Sequence, residues 1–178
     1  CGLADEGAHA INADVDLIRT GSLYHDVGKL HAPDWFIENQ KDGPNPHDTL
    51  NDPEQSAAVL QAHVDEGLKL AKRHRLPRPI ADFIPDHQGT LKMGFFLHRA
   101  RQRDPKVEER RFRYHGPSPR SKETGILMLA DGCEAALRSL PPDTSDDEAK
   151  NTVRRIVESR QQDGQLRKSG LSRSEVEL

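Results

Sequence analysis

An all-helical domain is what this sequence predicts, and three observations carry that expectation. Apolar residues recur at intervals of three and four along most of the chain, the spacing of a buried helical face. Helix-opening signals occur at Asp52-Pro53, at Ser145 with Glu148, and at Ser172 with Glu175. No stretch alternates apolar and polar residues in the manner of a convincing strand.

Taken in order, residues 1–13 read as a helix already in progress, with no cap ahead of it. Leu17, Ile18, Leu23, Tyr24 and Val27 keep helical spacing and place His25 and Asp26 inside the next helix. Residues 41–51 read as irregular. Asp52 and Pro53 open a long helix that reaches Arg75, with Val59, Leu60, His63, Gly67, Leu70 and Ala71 on related faces, and Leu76-Pro77 breaks it. Helices over 78–87 and 90–102 follow. Residues 104–120 are irregular, with a Gly- and Pro-rich loop at 113–119, and long loops in compact domains are often functional. Ile126, Leu127, Leu129, Ala130, Cys133, Ala136 and Leu137 mark a further helix, ended by Pro141-Pro142. Ser145 opens the one containing Val153, Ile156 and Val157.

The length of 178 residues suits one domain, 1–178, with 145–178 as its C-terminal helices. The chain begins at Cys1, and a helix-opening signal at Ser172 lies just before its last residue, so the expectation is a domain cut from a longer protein at both ends. Hydrophobic residues make up 34% and charged residues 31%, a polar composition without any apolar run long enough to span a bilayer. The net charge of −3 gives no reason to expect a nucleic-acid polymer as partner, although the Arg-rich stretch 99–120 could act locally on an anion. Two cysteines imply no disulfide framework. Cys133, in an apolar helical pattern, reads as a buried free thiol, consistent with a cytoplasmic setting.

The informative chemistry is in His25-Asp26-Val27-Gly28-Lys29. Adjacent helical residues point about 100° apart, so His25 and Asp26 can approach one metal site from neighbouring directions. A carboxylate can bridge two metals, which an imidazole cannot. Lys29, one turn after His25, would put a cation beside a bound anion, and Gly28 admits another backbone. The plain alternative is a charge pattern on an exposed helix. The flanking apolar residues argue for burial instead, where an unpaired Asp is costly.

These residues resemble the HD superfamily of metal-dependent phosphohydrolases, and more closely the cytoplasmic catalytic domain of seven-transmembrane-HD cyclic-di-AMP phosphodiesterases. The resemblance covers essentially the whole chain. It is carried by Tyr24-His25-Asp26-Val27-Gly28-Lys29, Phe36-Ile37-Glu38-Asn39-Gln40, Asn45-Pro46-His47-Asp48, Ala62-His63-Val64, His87-Gln88-Gly89-Thr90, Phe112-Arg113-Tyr114, Leu129-Ala130-Asp131, Glu134-Ala135-Ala136 and Asp163-Gly164-Gln165-Leu166, in that order and spacing. It implies an HD-domain helical bundle with a metal site in its core, His25, Asp26, His63, His87 and Asp131 being the ligands. It implies two divalent cations, manganese or iron, with Asp26 and Lys29 in catalytic roles. An activated water would then attack phosphorus in line with the departing ribose 3′ oxygen, converting cyclic-di-AMP to pApA. Gln88, Arg113, Tyr114 and Lys122 are candidate substrate contacts. A bacterial inner- or plasma-membrane parent is implied, with membrane segments outside this chain, and a homodimer is left open.

The sequence departs from the family pattern at three points. The family's early His would lie before Cys1; Gln88 stands where many relatives have a second His; His115 replaces the usual Pro of a Tyr-Pro-Gly-Pro loop. Two other readings stay open beside the phosphodiesterase: a degenerate HD domain that senses a cyclic nucleotide without cleaving it, and a hydrolase of another nucleotide.

Overall fold

The computed structural model describes residues 2–40 and 43–177, and among them ten α-helices alternate with short 3₁₀ turns. They are α1 (Gly2–Ala10), α2 (Val15–Tyr24), α3 (Pro46–Leu50), α4 (Pro53–Arg73), α5 (Arg78–Ala81), α6 (Phe83–Asp86), α7 (Gly94–Arg103), α8 (Lys122–Arg138), α9 (Asp146–Gln162) and α10 (Arg173–Val176). No strand forms among the described residues; Lys92 and Arg113 make one isolated antiparallel bridge. The fold is all-α, as the periodicity predicts.

Side-chain caps set most of the long helices. Asp14 accepts the Leu17 N–H to open α2, and Asp52 accepts both Glu54 and Gln55 N–H groups to open α4, with Pro53 at the first turn. Ser145 accepts the Glu148 N–H at the start of α9. Ser121 with Thr124, and Ser172 with Glu175, form reciprocal capping boxes on α8 and α10.

Several boundaries differ from the sequence-based expectation. Helix α2 stops at Tyr24, so His25 is its C-cap and Asp26 leads into a 3₁₀ turn, Val27–His31. The expected irregular stretch 41–51 contains α3, opened by Asn45 and Pro46; the part at Lys41 and Asp42 lies outside the described residues. The helix over 78–87 is split at Asp82 into α5 and α6. Helix α7 starts at Gly94, because residues 91–93 pair in extended form with 112–114: Met93 N–H donates to Phe112 and Tyr114 N–H to Leu91. The Arg-rich stretch is no free anion-binding strip. Arg99 binds Asp48, Arg103 binds Asn51, Arg111 binds Glu54 and Arg120 binds Asp86.

Two apolar clusters frame the molecule. One joins Ala4 and Ala8 of α1, Ile18 of α2, Phe83 of α6 and Ile126, Leu127 and Ala130 of α8. The other joins Ala57 of α4 to Met93, Phe96, Leu97, Ala100 and Phe112. Helices α2, α4, α6 and α8 pack on one another in a way that brings four separated sequence segments to one point. Cys133 is buried as a free thiol.

Candidate metal centre

The turn carrying His25 and Asp26 lies flat on α4. A Cβ on Gly28 would sit 1.7 Å from the His63 carbonyl oxygen and 2.5 Å from the Gly67 nitrogen, so only glycine permits this approach. His63 on α4, His87 at the end of α6 and Asp131 on α8 then face the turn. His25 Nε2 lies 3.1 Å from Asp26 Oδ2 and 3.9 Å from Asp131 Oδ1. His87 Nε2 and His63 Nε2 lie 3.4 Å and 3.6 Å from Asp26 Oδ1. All five ligand candidates are thus linked by short contacts, with Asp131 joined through His25.

The tautomers follow from the backbone. His25 Nδ1 donates to the Ser22 carbonyl at 2.7 Å, His63 Nδ1 to Leu60 at 2.5 Å and His87 Nδ1 to Ile84 at 2.7 Å. A carbonyl oxygen only accepts, so each Nδ1 carries the proton and each Nε2 turns a lone pair inward. Three lone pairs and a carboxylate converge, and His25 Nε2, His63 Nε2, His87 Nε2 and Asp26 Oδ1 are buried without hydrogen-bond partners. Acceptors at these separations repel unless a cation or proton lies among them. His25, Asp26 and His87 each offer a ligand atom within 4.8 Å of the others, a donor set suited to a divalent cation. Backbone carbonyls that lock the ligating imidazoles are the usual second layer of such sites.

The electrostatics agree. Burial would raise the Asp26 carboxyl, but the neighbouring imidazoles of His25 and His87 outweigh it and hold the group well below the usual carboxylate range. Burial, with the like charge of His87, depresses His63 to about 4, keeping it a neutral donor. For His25 burial works downward, yet the adjacent Asp26 carboxylate carries its pKa upward.

Lys29 is near this cluster but is not free. Its Nζ lies 2.6 Å from Asp26 Oδ2 and also pairs with Glu38. Burial lowers the Lys29 pKa, and the two carboxylates more than restore it. Tyr114 sets its ring edge-on to His63 at 5.9 Å; burial and the charges of Asp26, Asp131 and Glu38 push its hydroxyl upward, so it stays a donor. Gln88 follows His87 and is half-buried. Arg113 and Lys122 are spent elsewhere: Arg113 binds Asp163, Glu109 and the Thr90 carbonyl, and Lys122 pairs with Glu175 at 2.5 Å. Glu38 was visible only as part of a motif, because its pairing with Lys29 depends on how the intervening turns fold.

The helical bundle and this His–Asp centre define an HD domain. The HD domain family model matches residues 2–136, and the chain belongs to that family. It is 48% identical to the uncharacterised protein slr0104 of Synechocystis and 38% identical to the cyclic-di-AMP phosphodiesterase PgpH of Listeria monocytogenes, over 99% of this chain in each case. It spans only 22% and 24% of those two proteins. The crystal structure of the L. monocytogenes PgpH HD domain in complex with cyclic-di-AMP superposes with a TM-score of 0.95 at 36% identity, covering 99% of this chain and 81% of that one.

Proposed function

We propose that this domain is a metal-dependent phosphodiesterase that opens cyclic-di-AMP to pApA. The observation that carries the reading is the convergence of three inward-facing Nε2 atoms on the Asp26 carboxylate, in a chain 38% identical to a cyclic-di-AMP phosphodiesterase. His25, Asp26, His63, His87 and Asp131 would hold two divalent cations, manganese or iron by their mixed imidazole and carboxylate character. Such cations, when bound, supply Lewis acidity toward a phosphoryl oxygen and lower the pKa of a water.

The chain's own residues do the rest. Lys29 neutralises one side of Asp26 and, held by Glu38, fixes the direction of its carboxylate. The three backbone carbonyls keep the imidazoles in a single tautomer. Tyr114, whose ring packs edge-on to His63 and whose hydroxyl stays protonated, would donate to a phosphoryl oxygen. Gln88 offers an amide next to His87, where it can orient substrate or water. Arg113 and Lys122 support the surrounding loops through their ion pairs and are not proposed as substrate contacts.

No helix among the described residues is long and apolar enough to cross a membrane. We place the domain on the cytoplasmic side of a longer membrane protein, by its likeness to PgpH.

The test is metal analysis of the purified protein with product identification on cyclic-di-AMP. Bound manganese or iron and stoichiometric pApA are expected. Tight binding without turnover would favour the sensor reading, which Gln88 in place of a second His supports. Faster cleavage of an unrelated nucleotide would refute the substrate assignment.

A further inference from the structure

Arg160 has no partner among the ion pairs of the described residues. Arg160, near the end of α9, lays its guanidinium against α8 at Gly132. A Cβ on Gly132 would meet an Arg160 terminal nitrogen at 3.2 Å and its Nε at 3.7 Å. Gly132 directly follows Asp131, whose carboxylate lies 3.9 Å from His25 Nε2. The Asp131 charge acts on Arg160, so the guanidinium lies on the side of α8 near that carboxylate. Its Nε is buried without a hydrogen-bond partner, and no ion pair engages the side chain among the described residues. Asp163, the other acid close enough to influence it, is already taken by Arg113. Burial lowers the Arg160 pKa, the signature of a charge held in a poorly solvated place.

Arg160 is partly exposed, so its terminal nitrogens can meet a ligand, while its buried Nε–H costs stability unless something meets it. Its planar fork matches phosphate oxygens, and it keeps its charge at all working pH values. A cyclic dinucleotide has two phosphodiesters, and only one can sit on the His–Asp cluster in a given turnover. We infer that Arg160 is a substrate-binding residue that holds the second, uncleaved phosphodiester of the dinucleotide across the Asp131–Gly132 edge of α8. The inference rests on the dinucleotide reading above and adds the residue that distinguishes a two-phosphate ligand from a one-phosphate ligand.

The experiment compares pApA, which has two phosphates and is the product, with AMP, which has one. Affinities of both are measured by calorimetry on manganese-loaded wild type, Arg160→Met and Arg160→Lys, together with melting temperatures. Arg160→Met should weaken pApA about tenfold, the usual scale for losing a charge-assisted contact. AMP affinity should be unchanged, and Arg160→Lys should recover part of the loss. The melting temperature of Arg160→Met should hold or rise, because the variant removes a buried N–H that has no partner. Equal weakening of pApA and AMP, or a lower melting temperature with no selective loss of pApA, would mean that Arg160 supports the fold and would overturn the inference. Unchanged pApA affinity would overturn it as well. If wild type itself does not bind pApA, the dinucleotide reading fails and the inference falls with it.

Discussion

Asp26 is the residue on which the centre turns. Its two oxygens face different partners, Oδ1 toward His63 and His87 and Oδ2 toward His25 and Lys29. Asp26→Ala should abolish metal retention and lower phosphodiesterase activity by at least two orders of magnitude while costing the fold less, since the apolar clusters do not include it. Elemental analysis and turnover on the purified variant check this; full activity in a metal-loaded Asp26→Ala protein would refute the assignment. His63 gives a second prediction. Its pKa falls from an ordinary 6.5 to about 4 in the folded state, through burial and then the charge of His87. The unfolded chain therefore binds a proton that the native state refuses, and stability drops as pH falls from about 6.5 toward 4. In metal-free protein the melting temperature should decline over that window more steeply for wild type than for His63→Leu. Parallel curves would show that His63 does not titrate this way. The five proposed ligands could be picked out from sequence because residue type and spacing survive folding unchanged. Glu38 and Arg160 could not, since what marks them is a partner gained or missing across the fold: Lys29 for one, no acid for the other.

Between residue and fold stands the HD turn. Helical periodicity runs through His25 and Asp26, yet the helix ends at Tyr24, because the next turn tightens to bring Gly28 onto α4. That contact joins residues far apart in sequence, so the local pattern was silent about it. Helix α3 was missed for a different reason: Asn45-Pro46 has the same cap-then-proline chemistry as Asp52-Pro53, but five residues are too few to show periodicity. The glycine contact yields a third prediction. Gly28→Ala would force a methyl into the His63 carbonyl, so the turn must lift off α4 and draw His25 and Asp26 away from His63. Activity should fall at least a hundredfold, with destabilisation of about 1–3 kcal/mol or more from overpacking. Gly94→Ala is the matched control: its added Cβ meets nothing within 4 Å, at the first turn of α7. It should leave activity intact and stability unchanged or slightly higher. Comparable losses in both variants would show that Gly28 matters only as a flexible residue.

At the scale of the whole molecule, the family match ends at residue 136, but the packing does not. Helix α9 covers α8, and the 3₁₀ turn Gln165–Lys168 returns to the segment just after His87. Gln165 is 1% exposed; its Oε1 accepts the Thr90 N–H, and its Nε2 donates to Thr90 Oγ1 at 2.9 Å and Asp163 Oδ2 at 2.8 Å. Asp163 in turn binds Arg113, which reaches the Thr90 carbonyl. The C-terminal segment thus clamps the turn that carries His87 and Gln88 by polar bonds from three sides. Gln165→Ala leaves the Thr90 N–H without its acceptor and removes one of the two donors to Asp163 Oδ2, Arg113 being the other, at a cost of about 1–3 kcal/mol. For a domain of this size that lowers the melting temperature by several degrees. The catalytic consequence should exceed the thermodynamic one. Well below the melting temperature, where the variant is fully folded, kcat should still fall severalfold, because His87 loses the anchor of its following turn while its Nδ1 bonds to Phe83 and Ile84 remain. Gln165→Glu separates the parts of the clamp. It keeps the oxygen that accepts Thr90 N–H but sets a second negative charge against Asp163, so it should be destabilised at neutral pH and recover as the pair is protonated at lower pH. Steady-state kinetics and thermal melts across pH measure both effects. A Gln165→Ala protein with wild-type kcat would show that the C-terminal helices merely cover the fold and do not help set the metal centre.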